Sequence, residues 1–121
     1  MAFTGSVIPT SFYLDLGLAK FDTSADTFRM ALYDNTATLD VSTTAYTATG
    51  ELATALGYTA GGVAIAITVS TVSTSNGPRV IWDFANATWP ASTFTARGGL
   101  IYDDTAAGNP AVMVIDFGGD K

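Results

Sequence analysis

The chain contains no cysteine and no histidine. These absences remove the thiol nucleophile, the side chain that most often moves protons near neutral pH, and the commonest metal ligand. No Ser-His-Asp or Cys-His arrangement can be built, and a structural zinc site is all but excluded. Without cysteine, the redox compartment leaves no mark on the sequence. Charge is scarce too: 13% of the 121 residues are charged, against roughly a quarter in typical soluble domains. The five basic residues (Lys20, Arg29, Arg79, Arg97 and Lys121) are scattered, and the formal net charge is −6. No basic stripe can neutralise phosphates, so nucleic acid is not an expected partner. The acidity equally disfavours anionic membrane surfaces. No apolar run reaches the roughly 18 residues that span a bilayer, and Met1-Ala2-Phe3-Thr4-Gly5 lacks the positive start and apolar core of a signal peptide. The expected setting is the cytoplasm.

What remains is apolar and β-branched. Hydrophobic residues make up 48% of the chain, enough for one domain spanning 1–121 to bury a core without disulfides or metals. Thr, Ser, Asn and Gly supply the polarity, and Thr suits a half-buried pleated surface. Alternation predicts strands over Thr27–Tyr33, Val63–Val72, Arg79–Phe84 and Thr93–Tyr102. Slippage at Thr71-Val72 predicts a bulge or strand end, and Gly98-Gly99 predicts a bulge or a close backbone approach. Ala111–Phe117 is apolar on both faces, as a central strand would be. Thr10 and Ser11 could cap a short helix over Phe12–Phe21, although Phe12, Leu14, Leu16 and Leu18 also alternate. Residues 36–62 are irregular, with a strand expected around Thr44–Thr47 and a turn of helix at Glu51–Leu56. The fold class is mainly β: an antiparallel sandwich or sheet of about five to eight strands with one short N-terminal helix.

No motif carries catalysis, cofactor binding or metal binding. Asp103-Asp104 is the one adjacent acidic pair, but no calcium-loop pattern surrounds it, and a solvated turn explains it better. Asp22 and Asp26 read as turn or cap residues. Glu51, the single glutamate, reads as the first turn of a helix, where its charge suits the dipole, in preference to a buried acid. Gly57-Tyr58-Thr59-Ala60-Gly61-Gly62 lacks the lysine of a phosphate loop. Trp82, Phe84, Trp89, Phe94 and Tyr102 could form a carbohydrate-stacking platform, but core filling explains their register without further assumption.

Taken in order, several segments together resemble a family of small virion proteins of tailed bacteriophages. They are Met1–Ser6, Asp26–Asp34, Thr43–Thr47, Gly57–Gly62, Thr93–Tyr102 and Ile115–Gly118. The run Phe12-Tyr13-Leu14-Asp15-Leu16 is more hydrophobic than that family's pattern. The resemblance implies a non-enzymatic structural part of a virion, assembled in the host cytoplasm. It points to a capsid decoration (cement) protein, homo-oligomeric and bound to the major capsid protein. A tail, neck or fibre component is the near alternative, and a carbohydrate-binding module is the rival from another class. Residues 1–9 and 36–62 are the expected interaction arms, with Phe3, Val7, Ile8, Tyr46, Leu52 and Tyr58 as assembly contacts.

Overall fold

The computed structural model describes residues 3–121. One helix, α1 (Thr10–Gly17), precedes six strands: β1 (Phe28–Tyr33), β2 (Val63–Ile65), β3 (Ile67–Thr74), β4 (Gly77–Phe84), β5 (Gly98–Asp103) and β6 (Ala111–Asp116). They form a four-stranded antiparallel sheet of order β2-β1-β5-β6 and a separate two-stranded ribbon, β3-β4. The mainly β, antiparallel expectation with one short helix holds.

Both faces of the four-stranded sheet are covered, so β1 and β5 are buried along almost their whole length. On one face Ala31, Tyr33, Leu100, Tyr102 and Val114 meet Phe3, Ala37 and Leu39. On the other, Phe28, Met30, Leu32, Ile101 and Val112 meet Phe12, Tyr58 and a belt of half-buried aromatics. The first cover is irregular chain. The second is α1, the ribbon's base and the segment after it. Alternation made β1 look half-exposed because it cannot register a second core; Tyr33, expected outside, is fully buried.

Several expected boundaries shift. The strand expected over Val63–Val72 is interrupted at Ala66, and no slip occurs at Thr71-Val72, because β3 stays in register with β4 to the tip. Of the expected Thr93–Tyr102 strand, only the residues from Gly98 on are regular, and the strand runs one residue further, to Asp103. The glycines open it at a close approach: a Cβ on Gly98 would stand 2.5 Å from the Phe3 ring, and one on Gly99 would stand 2.5 Å from Met30 Cε. The irregularity lies instead at Ile101/Tyr102. β6 is an edge strand, not a central one. The backbone of Val114 exchanges two 2.9 Å bonds with Val7 along its outer edge, and β6 is apolar on both faces because Val114 packs into one core and Val112 into the other.

Of the expected arm over residues 1–9, residues 1 and 2 lie outside the described residues; residues 3–9 and the segment 36–62 both contact the body. Phe3 bridges to Leu39 and is 1% exposed, and Ser6 Oγ accepts the Asp116 N–H. Between 36 and 62 there is no helix at Glu51–Leu56 and no strand at Thr44–Thr47, only isolated bridges from Leu39, Ala45, Glu51, Ala55 and Tyr58. That chain is held by side chains instead. Tyr33 Oη donates to the Thr47 carbonyl at 2.7 Å, and Tyr102 Oη donates to that of Gly61 at 2.6 Å. Gly62 has φ +80°, and a Cβ there would fall 1.9 Å from the Met30 carbonyl oxygen. A glycine is therefore what lets the segment lie against β1 before it enters β2.

Candidate functional site

Helix α1 has no β-branched residue in its interior, but only Leu14 and Leu16 are strong helix formers. Neither expected hydroxyl caps it: Pro9 occupies the N-cap position without a side-chain bond, and Ser11 Oγ donates to the Thr43 carbonyl. Its burial is inverted for an amphipathic surface helix. The two buried residues are Phe12 and Asp15, whereas Tyr13, Leu14 and Leu16, with Leu18 just beyond, are 43–63% exposed. Asp15 is held by Lys20 at 3.1 Å. The helix thus turns Phe12 and its one acid towards the body and its tyrosine and leucines outwards.

The ribbon continues this surface. Register places Ile67 opposite Phe84, Val69 opposite Trp82, and Thr71 opposite Val80, all on one face. At the base this face packs on the aromatic belt: Trp82 lies edge-on to Phe12 and Phe28, and Phe84 to Phe28. Further out it leaves the body, and Val80 is 66% exposed. Between α1 and the ribbon lies an apolar groove of about 500 Å³, lined among others by Ile8, Tyr13, Leu16, Val80, Trp82 and Met113. None of its lining residues is charged. Scattered exposed apolar side chains are ordinary on a monomer, but a contiguous apolar patch marks an interaction site.

The expected assembly contacts separate into three groups. Ile8 is exposed on the groove. Val7 is half-buried against β6. Phe3 and Tyr58 are core residues, 1% and 2% exposed, and Tyr46 and Leu52 are half-buried. Phe3 and Tyr58 are buried because, in a chain with irregular covers, aromatics in loops fill the core. Tyr13, Leu16 and Val80, which line the groove, were not among the expected contacts. The signal was present in the excess hydrophobicity of Phe12–Leu16.

Glu51 is not a helix-start residue. It accepts hydrogen bonds from Tyr46 Oη, from Tyr58 Oη at 2.6 Å and from the Gly61 N–H at 2.6 Å. Tyr58 Oη in turn accepts the Leu32 N–H of β1 at 3.0 Å, so one carboxylate ties residues 46–61 to the sheet. Burial, and for Tyr46 and Tyr58 the bond to Glu51, raise the pKa of Tyr33, Tyr46 and Tyr58; burial pushes Tyr102 up to about 12. An unfolded tyrosine loses its proton near pH 10. Stability from these four groups is therefore complete below pH 10 and falls as pH rises towards 12, because the unfolded chain releases protons that the native one keeps. Thermal melts at pH 9, 10 and 11 should show the midpoint dropping only above 10, with tyrosinate absorbance appearing at the unfolding transition. An unchanged midpoint at pH 11 would refute this.

The acidic pair divides its work. Asp104 is exposed and binds Arg29 at 2.9 Å. Asp103 is fully buried; its Oδ1 accepts the N–H groups of Thr105 and Ala106. Its burial and the neighbouring Asp26 carboxyl raise its pKa. No cluster of three or more metal-ligating side chains occurs among the described residues. The aromatics do not form an open platform. Tyr102 is buried, Trp89 and Phe94 meet at right angles, and among the described residues Tyr13 is the one mostly exposed aromatic. No protein-family model, no curated protein and no solved structure matches the chain.

Proposed function

We propose that this protein is a non-enzymatic structural component of a tailed-bacteriophage particle, a decoration protein that docks on the major capsid protein through the α1–ribbon surface. One observation carries the reading: α1 buries its aspartate and exposes its leucines and tyrosine, leaving a charge-free apolar groove beside a projecting ribbon. A helix in that orientation is stabilised when a second surface covers it. The resemblance of the sequence to small virion proteins supplies the kind of assembly. Many identical copies on a lattice convert a modest apolar contact into stable attachment through avidity. The chemistry of the chain agrees: Asp22, Asp34 and Asp40 accept bonds within turns, Asp15, Asp104 and Asp116 are paired with basic residues, and Glu51 binds two tyrosines. Mass spectrometry of gradient-purified particles should find this chain at high copy number with the major capsid protein. Its absence from intact particles would sink the reading, and its presence at a few copies would favour a neck or tail position.

A further inference from the structure

The ribbon has a second property, separate from its apolar face: β4 has an open edge. β3 and β4 pair only with each other. Ala85 N–H donates to the Ala66 carbonyl at 2.9 Å, which fixes the parity of the ladder. Bonded and non-bonded pairs alternate in an antiparallel ribbon. Thr68/Asp83, Ser70/Ile81 and Val72/Arg79 are therefore the bonded pairs, and the N–H and C=O groups of Val80, Trp82 and Phe84 point outwards. None of those outward groups is hydrogen-bonded elsewhere among the described residues. A two-stranded ribbon is marginal in water by itself. Proteins usually blunt such an edge with charged side chains, proline or a bulge; this edge carries Pro78 near the tip and two charges of opposite sign, Arg79 and Asp83.

The two charges on β4 fit a particular neighbour. Arg79 and Asp83 are both exposed, lie on the same face, and form no ion pair within the chain among the described residues. An antiparallel copy of β4 related by a two-fold axis through Ile81 sets Arg79 of each copy opposite Asp83 of the other. In that register Val80 falls opposite Trp82, and both expose their backbone groups, so the hydrogen-bonding parity and the charges agree. Centring on Val80 or Trp82 leaves both charges unmatched. The partner this edge fits is itself.

We infer that two copies of this chain associate through antiparallel pairing of their β4 edges about Ile81, joining two ribbons into one four-stranded sheet. Opposite charges directly across a pair of strands stabilise it and like charges destabilise it. The pairing uses the backbone edge and the Arg79/Asp83 face, so it does not depend on the capsid reading and is tested on the purified chain alone.

Sedimentation equilibrium should give twice the 12.5 kDa monomer mass. Arg79→Asp alone and Asp83→Arg alone each place like charges opposite one another at two symmetry-related positions. Each should weaken the dimer about tenfold or more, whereas the double exchange should restore it. The restoration separates loss of pairing from loss of folding. The absence of cysteine allows a second reading. Ile81 faces its own copy at a non-bonded pair, where Cα atoms stand about 4.5 Å apart, within disulfide range. Ile81→Cys should therefore oxidise to a covalent dimer, and Ser70→Cys on β3 should not. A monomeric wild type, a dimer indifferent to both single charge changes, or equal cross-linking at 70 and 81 would each overturn the inference.

Discussion

Replacing Glu51 by alanine is expected to destabilise the protein by about 3 kcal/mol, the largest effect of any single polar substitution in the chain. The substitution leaves two phenol groups and one backbone N–H without their shared acceptor. A hydrogen bond to a charged group contributes about 1.5–3 kcal/mol. The three do not add, because the site is half-buried and water can reach part of it. Glu51→Gln preserves the shape and one carbonyl acceptor, which can still take the Tyr58 and Gly61 donors, so it should cost about 1 kcal/mol. Urea unfolding of the three proteins checks the ordering. Domains of this size are stable by about 5–15 kcal/mol, so the alanine variant should remain folded at room temperature with a clearly lower midpoint. An alanine variant within about 0.5 kcal/mol of wild type would mean that residues 46–61 are held by apolar packing alone.

Substituting Tyr13 and Leu16 together by aspartate should have the opposite profile: little effect on folding and a large effect on assembly. Both side chains are more than 40% exposed and line the groove. Neither belongs to either core cluster, so the unfolding midpoint should change by no more than about 1 kcal/mol. Burying an apolar side chain of this size contributes roughly 1.5–3 kcal/mol. Losing two of them, and placing charge in an apolar contact, should reduce affinity for the particle on the order of 10³-fold. Binding of the labelled chain to heads lacking it measures this directly. Undiminished binding would remove α1 from the docking surface.

The reasons some features were legible in the sequence and others were not are physical. β1 and β4 announced themselves through period-2 alternation, and β6 through a short continuous apolar run. Their environment did not: one sequence cannot say whether a strand has a second cover, so Tyr33 was assigned outwards and β6 inwards. Residues 36–62 were opaque because their order comes from single side-chain bonds, those to Glu51 within the segment and those from Tyr33 and Tyr102 of the sheet, which have no periodic signature. Glu51 itself resembled a helix-start acid because local spacing was the only available cue. The docking surface was half-visible. The excess hydrophobicity of Phe12–Leu16 was plain, but only the structure separates the buried Phe12 from the exposed Tyr13, Leu14 and Leu16. The β4 edge required both the register and the bonding parity, neither of which can be read from composition.

Assembly through the α1–ribbon surface is tested most directly by electron cryo-microscopy of the purified particle. The account predicts a copy of this chain at capsid lattice positions, with Tyr13, Leu16 and Val80 buried against the major capsid protein. A particle without the chain, or a bound chain whose α1 leucines face open solvent, would contradict it.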